Sequence, residues 1–114
     1  MFEHLLEKYL LEIKTLSSKF FPHSFLSVNY SRFNRVSIRI EISKKFFIDI
    51  YCNVENNRKN YALIKDDERK IGWDNLGGWH CHPFGKALKH KKCKEPSAKK
   101  IFSKIKEIVE ETTK

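Results

Sequence analysis

The apolar positions of this chain follow two periods in separate regions. Phe2, Leu5, Leu6, Tyr9, Leu10, Ile13 and Leu16 recur at helical spacing, while Glu3, Glu7, Lys8, Glu12 and Lys14 fill the other face. The spacing predicts an amphipathic helix over about residues 2–20, ended before Pro22. The period then changes to two. Val36, Ile38, Ile40 and Ile42 alternate with Arg35, Ser37, Arg39 and Glu41. After Ser43-Lys44-Lys45, the positions Phe46, Ile48, Ile50, Cys52 and Val54 alternate with Phe47, Asp49, Tyr51 and Asn53. Two alternating runs joined by a short polar link predict an antiparallel hairpin with one buried face. Residues 24–30 are a candidate for an earlier strand, and Tyr61–Lys65 and Lys70–Asp74 read as a second hairpin through Asp66-Asp67-Glu68-Arg69.

A last helix starts near Pro96-Ser97, with Ile101, Phe102, Ile105, Ile108 and Val109 as its apolar stripe. Its charges oppose the helix dipole: Lys99 and Lys100 lie in the first turn, Glu110 and Glu111 in the last. Two readings follow: an anion docks at that N-terminus, or the charges are screened and their order carries no meaning. The element order predicts an α+β fold in two layers, an antiparallel sheet of four or five strands with the N- and C-terminal helices packed on it. Residues 1–114 read as a single domain with an irregular basic segment at 75–95.

Composition sharpens this picture in two ways. Lys plus Arg number 23 against 14 Asp plus Glu, a formal charge of +9, which favours an anionic partner such as nucleic acid, an acidic protein or a membrane surface. No apolar run approaches the roughly 18 residues of a transmembrane helix, and the N-terminus lacks the basic region and cleavage site of a signal peptide. Three cysteines are an odd number without the spacing of a disulfide framework. The expectation is reduced thiols in a cytoplasm.

Candidate chemistry concentrates in Gly72–Lys94, which holds three of the five histidines, two of the three cysteines, both tryptophans and all four glycines. Neither period runs through it, and a long irregular segment in a compact domain is usually functional or disordered. Three kinds of chemistry fit its residues. The first is metal-independent RNA cleavage, which needs a base for the 2′-OH, an acid for the leaving oxygen and cations for the phosphorane. His82, His90 and His80 suit the proton transfers, Asp74 can orient a histidine, and Lys86, Lys89, Lys91, Lys92, Lys99 and Lys100 can meet phosphate, with Trp73, Trp79 and Phe84 stacking on bases. The second is a zinc site from His80, His82, His90 and Cys93, lacking the usual Cys-x-x-Cys knuckle. The third is recognition without chemistry, by a Gly- and Lys-rich loop beside a helix N-terminus. Cys52, on the apolar side of a strand pattern, reads as core, and His4 and His23 as structural.

Tyr61-Ala62-Leu63, Gly72-Trp73-Asp74-Asn75, His80-x-His82-Pro83, the Lys89-His90-Lys91-Lys92 cluster and Glu95-Pro96-Ser97 before a last helix together resemble the TumE-type toxin family. The resemblance covers roughly residues 35–110 and is most specific over 72–92. The chain departs from the family pattern where His80-Cys81-His82 replaces adjacent histidines, where His90 alone stands among lysines, and where Gly77-Gly78-Trp79 lengthens the segment. The resemblance implies the toxin half of a type II toxin–antitoxin pair, held in check by a small acidic protein antitoxin. RNA as target comes from the residue inventory, not from the resemblance.

The combined expectation is a cytoplasmic, toxin-like ribonuclease without a cofactor, with His82 and His90 as the acid–base pair and His80 or Asp74 assisting. Its partners are RNA and the antitoxin, with a homodimer as a further state and no membrane. The alternatives are a non-catalytic nucleic-acid-binding or protein-interaction module and a small zinc-stabilised domain.

Overall fold

A computed structural model describes residues 2–85 and 91–113. Helix α1 (Phe2–Phe20) is followed by strands β1 (Phe25–Arg32), β2 (Arg35–Glu41), β3 (Phe46–Asn53), β4 (Arg58–Lys65), β5 (Glu68–Asp74), β6 (His80–His82) and β7 (Lys91–Lys92), and by helix α2 (Ala98–Thr112). The strands form one antiparallel meander in chain order. The α+β class, both helices and both hairpins match the apolar pattern. The sheet has seven strands rather than four or five: residues 25–32 are a full strand, and the segment 75–95 supplies two short ones.

The register explains why one face is buried. Ile38 lies opposite Ile50, Ile40 opposite Ile48, and Val36 opposite Cys52. Ile48 and Ile50 in turn face Leu63 and Tyr61, and Leu63 and Tyr61 face Ile71 and Trp73. Because strand side chains alternate, this set shares one side. Leu6, Tyr9 and Ile13 of α1 and Ile101, Phe102, Ile105 and Ile108 of α2 complete the same core. Phe102 is fully buried and contacts the rings of Phe20 and Phe21, which joins the two helices. Ser97 caps α2 by accepting from the Lys100 N–H.

The other side of the sheet carries the alternate residues: Arg39 and Asp49, Tyr51 and Asn60, Asp74 and His80. Arg39 grips Asp49 through two hydrogen bonds of 2.7 and 2.8 Å and lies over the Phe47 ring. None of the described helices is long and apolar enough to cross a membrane.

Candidate functional site on the open face of the sheet

The segment expected to be irregular is tied into the sheet at its start. Asp74 closes β5 and accepts the Leu76 N–H at 3.2 Å, the local turn that Asp favours. Asn75 accepts the Lys59 N–H at 2.8 Å and donates to the Asn57 carbonyl, anchoring the turn to β4. Gly77 and Gly78 adopt positive φ of 70° and 107°, backbone that a side chain would strain. The chain then returns as β6, setting His80 opposite Asp74, Cys81 opposite Trp73 and His82 opposite Gly72.

This register sorts the segment's residues between the two faces. Cys81 and Cys93 lie on the helix side and form a disulfide, correcting the expectation of reduced thiols for this pair. Cys52 is the free cysteine and is buried, where desolvation pushes its thiol up to about 11. Trp73 is 8% exposed and belongs to the core, while Trp79 packs against that core. For Trp73 the expected role as a base-stacking platform gives way to packing, since the alternation that turns Asp74 outward turns Trp73 inward.

On the open face, His82 is only 2% exposed and joins Asp74 to Arg69. Its Nε2 lies 2.9 Å from Asp74 Oδ2, and its Nδ1 lies 3.1 Å from Arg69 Nη2. A guanidinium has no acceptor, so Nδ1 must accept from Arg69 and Nε2–H must donate to Asp74. One neutral tautomer satisfies both bonds. Partial burial pushes the Asp74 carboxyl up, but the His82 and Leu76 hydrogen bonds, with the neighbouring His82 and His80, more than offset it and hold the group below its ordinary value.

Gly72 makes room for this arrangement. A Cβ there would stand 3.1 Å from Arg69 Cδ and 3.2 Å from the Tyr61 carbonyl oxygen, tighter than ordinary contact, so a side chain at this position would push the Arg69 chain aside by a few tenths of an ångström. Around the cluster is a cavity of about 250 Å³ lined by Arg58, Asn60, Arg69, Asp74, Leu76, His80 and His82. The Nε of Arg58 is buried there and makes no hydrogen bond among the described residues. Two guanidiniums, two imidazoles, an amide and a carboxylate thus share one opening, a set suited to holding an oxyanion and moving a proton beside it.

The structure brings Asp74, His80 and His82 together as the expected site requires. Lys86, Lys89 and His90 lie outside the described residues. Lys91 and Lys92 form β7, and Lys99 and Lys100 lie in the first turn of α2, all four exposed. The alternative zinc set is divided: Cys93 is bonded to Cys81 on the helix side, away from His80 and His82, and no group of three or more metal-ligating side chains assembles among the described residues. Arg58, Asn60 and Arg69 escaped sequence reading because they lie in ordinary strand patterns outside the segment. The available signal was Gly72, a glycine inside a strand, which marks close approach by another group. In comparisons with protein-family models, curated proteins and solved structures, nothing matches this chain.

Proposed function

We propose that the chain is a toxin-like protein that cleaves RNA without a metal, with the open-face cavity receiving the phosphodiester. The observation that carries this reading is the convergence of Arg58, Arg69, His80 and the Asp74–His82 pair on one opening. In this mechanism a phosphate competes with His82 for Arg69. As the guanidinium turns to the non-bridging oxygens, Nδ1 of His82 is released while Asp74 keeps the ring oriented through Nε2–H. Nδ1 takes the 2′-OH proton, the 2′ oxygen bonds to phosphorus, the bond from phosphorus to the 5′ oxygen breaks, and protonated His80 gives its proton to that oxygen. The products are a 2′,3′-cyclic phosphate and a 5′-hydroxyl. Arg58 stabilises the phosphorane charge. His90, expected to form the acid–base pair with His82, lies outside the described residues, and this mechanism gives the acid role to His80, which stands opposite Asp74 across the β5–β6 pair. A small acidic protein antitoxin belongs to the same proposal, while the cytoplasmic location expected from reduced thiols loses that ground to the Cys81–Cys93 disulfide.

The test is chelator-treated protein with a labelled single-stranded RNA and its 2′-deoxy counterpart. Cleavage of the RNA alone is expected, falling by about 10²–10⁴-fold in His82→Ala and His80→Ala. Wild-type rates in both variants would overturn the mechanism. One observation favours a second reading, a nucleic-acid-binding module without chemistry: both ring nitrogens of His82 are already engaged. That module would bind RNA with an affinity falling steeply with salt, and would leave the RNA intact.

A further inference from the structure

On the opposite side of the sheet, between the start of α2 and strands β5 to β7, runs a separate groove of about 460 Å³. Its floor is apolar, formed by Ile71, Trp73 and Ile101, which are 6%, 8% and 1% exposed. The Cys81–Cys93 disulfide forms part of its wall. The rim is cationic. Lys91 of β7 lies on this side, opposite Cys81, Lys100 comes from the first turn of α2, and among the described residues no Asp or Glu lines the groove. Lys91 and Lys100 make no ion pair among the described residues, whereas Lys104, further along α2, leans on Glu107 at 3.5 Å. Lysines on one rim without a counter-charge favour an anionic occupant.

We infer that this groove docks an acidic peptide segment of another protein, seated by one bulky apolar side chain on the floor. Charge complementarity selects the sign of the occupant, and the floor selects a peptide over a nucleic acid. Single-stranded RNA is held by open aromatic faces and by groups that read base edges. Here the tryptophan is buried in the core and its companions are isoleucines, which accept a hydrocarbon or ring anchor and read nothing. Lysines act as point charges on flexible stems, suited to carboxylates that flank an anchor at variable spacing. The groove lies on the helix side and the Arg58–His82 cavity on the open side, so the two sites use different residues and the inference does not depend on the RNA reading.

The experiment uses the full chain and a fluorescein-labelled peptide of Asp and Glu with one central Phe, followed by anisotropy. Saturable binding is expected, weakened by about tenfold or more in Lys91→Glu/Lys100→Glu. A peptide with Ser in place of the Phe should lose a similar factor on the wild-type chain, a measurement that needs no variant to fold. Arg58→Ala, altered on the other face, should bind the peptide as wild type does, so loss of the RNA site and loss of the groove are read separately. Equal binding of the Ser peptide would reduce the groove to diffuse charge attraction and overturn the inference. So would unchanged binding in the lysine variant, or a single-stranded RNA that displaces the peptide and itself loses affinity in that variant.

Discussion

Strands β2, β3 and β4 run for seven or eight residues and bury the isoleucines of β2 and β3 with Tyr61 and Leu63 of β4 against two helices. Strands β6 and β7 run for three and two residues and contain no aliphatic side chain. The first region is held by apolar area removed from water. The second is held by named bonds: a disulfide on one face, the Asp74–His82–Arg69 chain on the other, and a Cys93 N–H to the Trp79 carbonyl at its end. A strand too short to bury much apolar surface needs individual partners, and those same partners supply the polar groups of the candidate site. A second contrast shows that buried polarity alone does not make a site. Tyr9 donates to Tyr61 at 2.7 Å under α1, and burial raises both phenols. That pair stays neutral within the core, whereas the Asp74 cluster adds two guanidiniums beside an open cavity.

This division can be broken from either side. Phe102→Ala, which empties the fully buried contact between the helices, should cost about 3–5 kcal/mol in a urea melt. It should leave the edge bonds intact, so a smaller loss than that from any edge substitution would reverse the assignment of the core. Cys93→Ser opens the link between β6 and the residue after β7 and should cost about 3 kcal/mol under oxidising conditions. Hydrogen exchange should then accelerate at the β6 amides and remain slow in β3. Uniform acceleration would mean that the edge and the long strands unfold as one unit.

Removing the central group of the polar chain should have a smaller effect. His82→Ala leaves a carboxylate and a guanidinium without their shared bridge, for a loss of about 1–3 kcal/mol by chemical denaturation. Acid sharpens the same point. The Asp74 carboxyl lies below its ordinary value of 3.8 in the folded chain, so its contribution is complete above that value and disappears as pH falls through the lower folded one. Stability should therefore drop below about pH 3.8 with a steeper slope in wild type than in Asp74→Asn, whereas equal slopes would remove Asp74 from the account. The smallest effect belongs to Arg39→Ala on the exposed part of the open face. Its bidentate pair with Asp49 is nearly half exposed, and its loss should cost about 0.2–1 kcal/mol and fade with added salt.

Legibility in the sequence follows the same boundary. The helix stripes and the period-two runs of β2 and β3 state their buried faces directly, because 3.6 and 2.0 are the periods at which a side chain returns to one side. Asp74, His80 and His82 were recognisable as candidates because three polar, titratable residues at i, i+6 and i+8 have no core role that either period assigns. Trp73 and Cys81 misled for the complementary reason: in a segment without visible period, composition cannot show which residue turns inward. The disulfide was hidden as well, since an odd count of cysteines conceals a pair that only the pairing of β6 with β7 brings together.

The amino-acid pattern by itself determined the class of the fold, the order of its longer elements and the segment that carries the polar chemistry, because these depend on local period and local residue type. Only the tertiary structure decided which face each residue of that segment occupies, that Arg58 and Arg69 join His82 from separate strands, and that lysines and apolar floor form a groove on the other side. Those outcomes depend on strand register, and in a strand of three residues register is set by long-range partners rather than by the strand's own sequence.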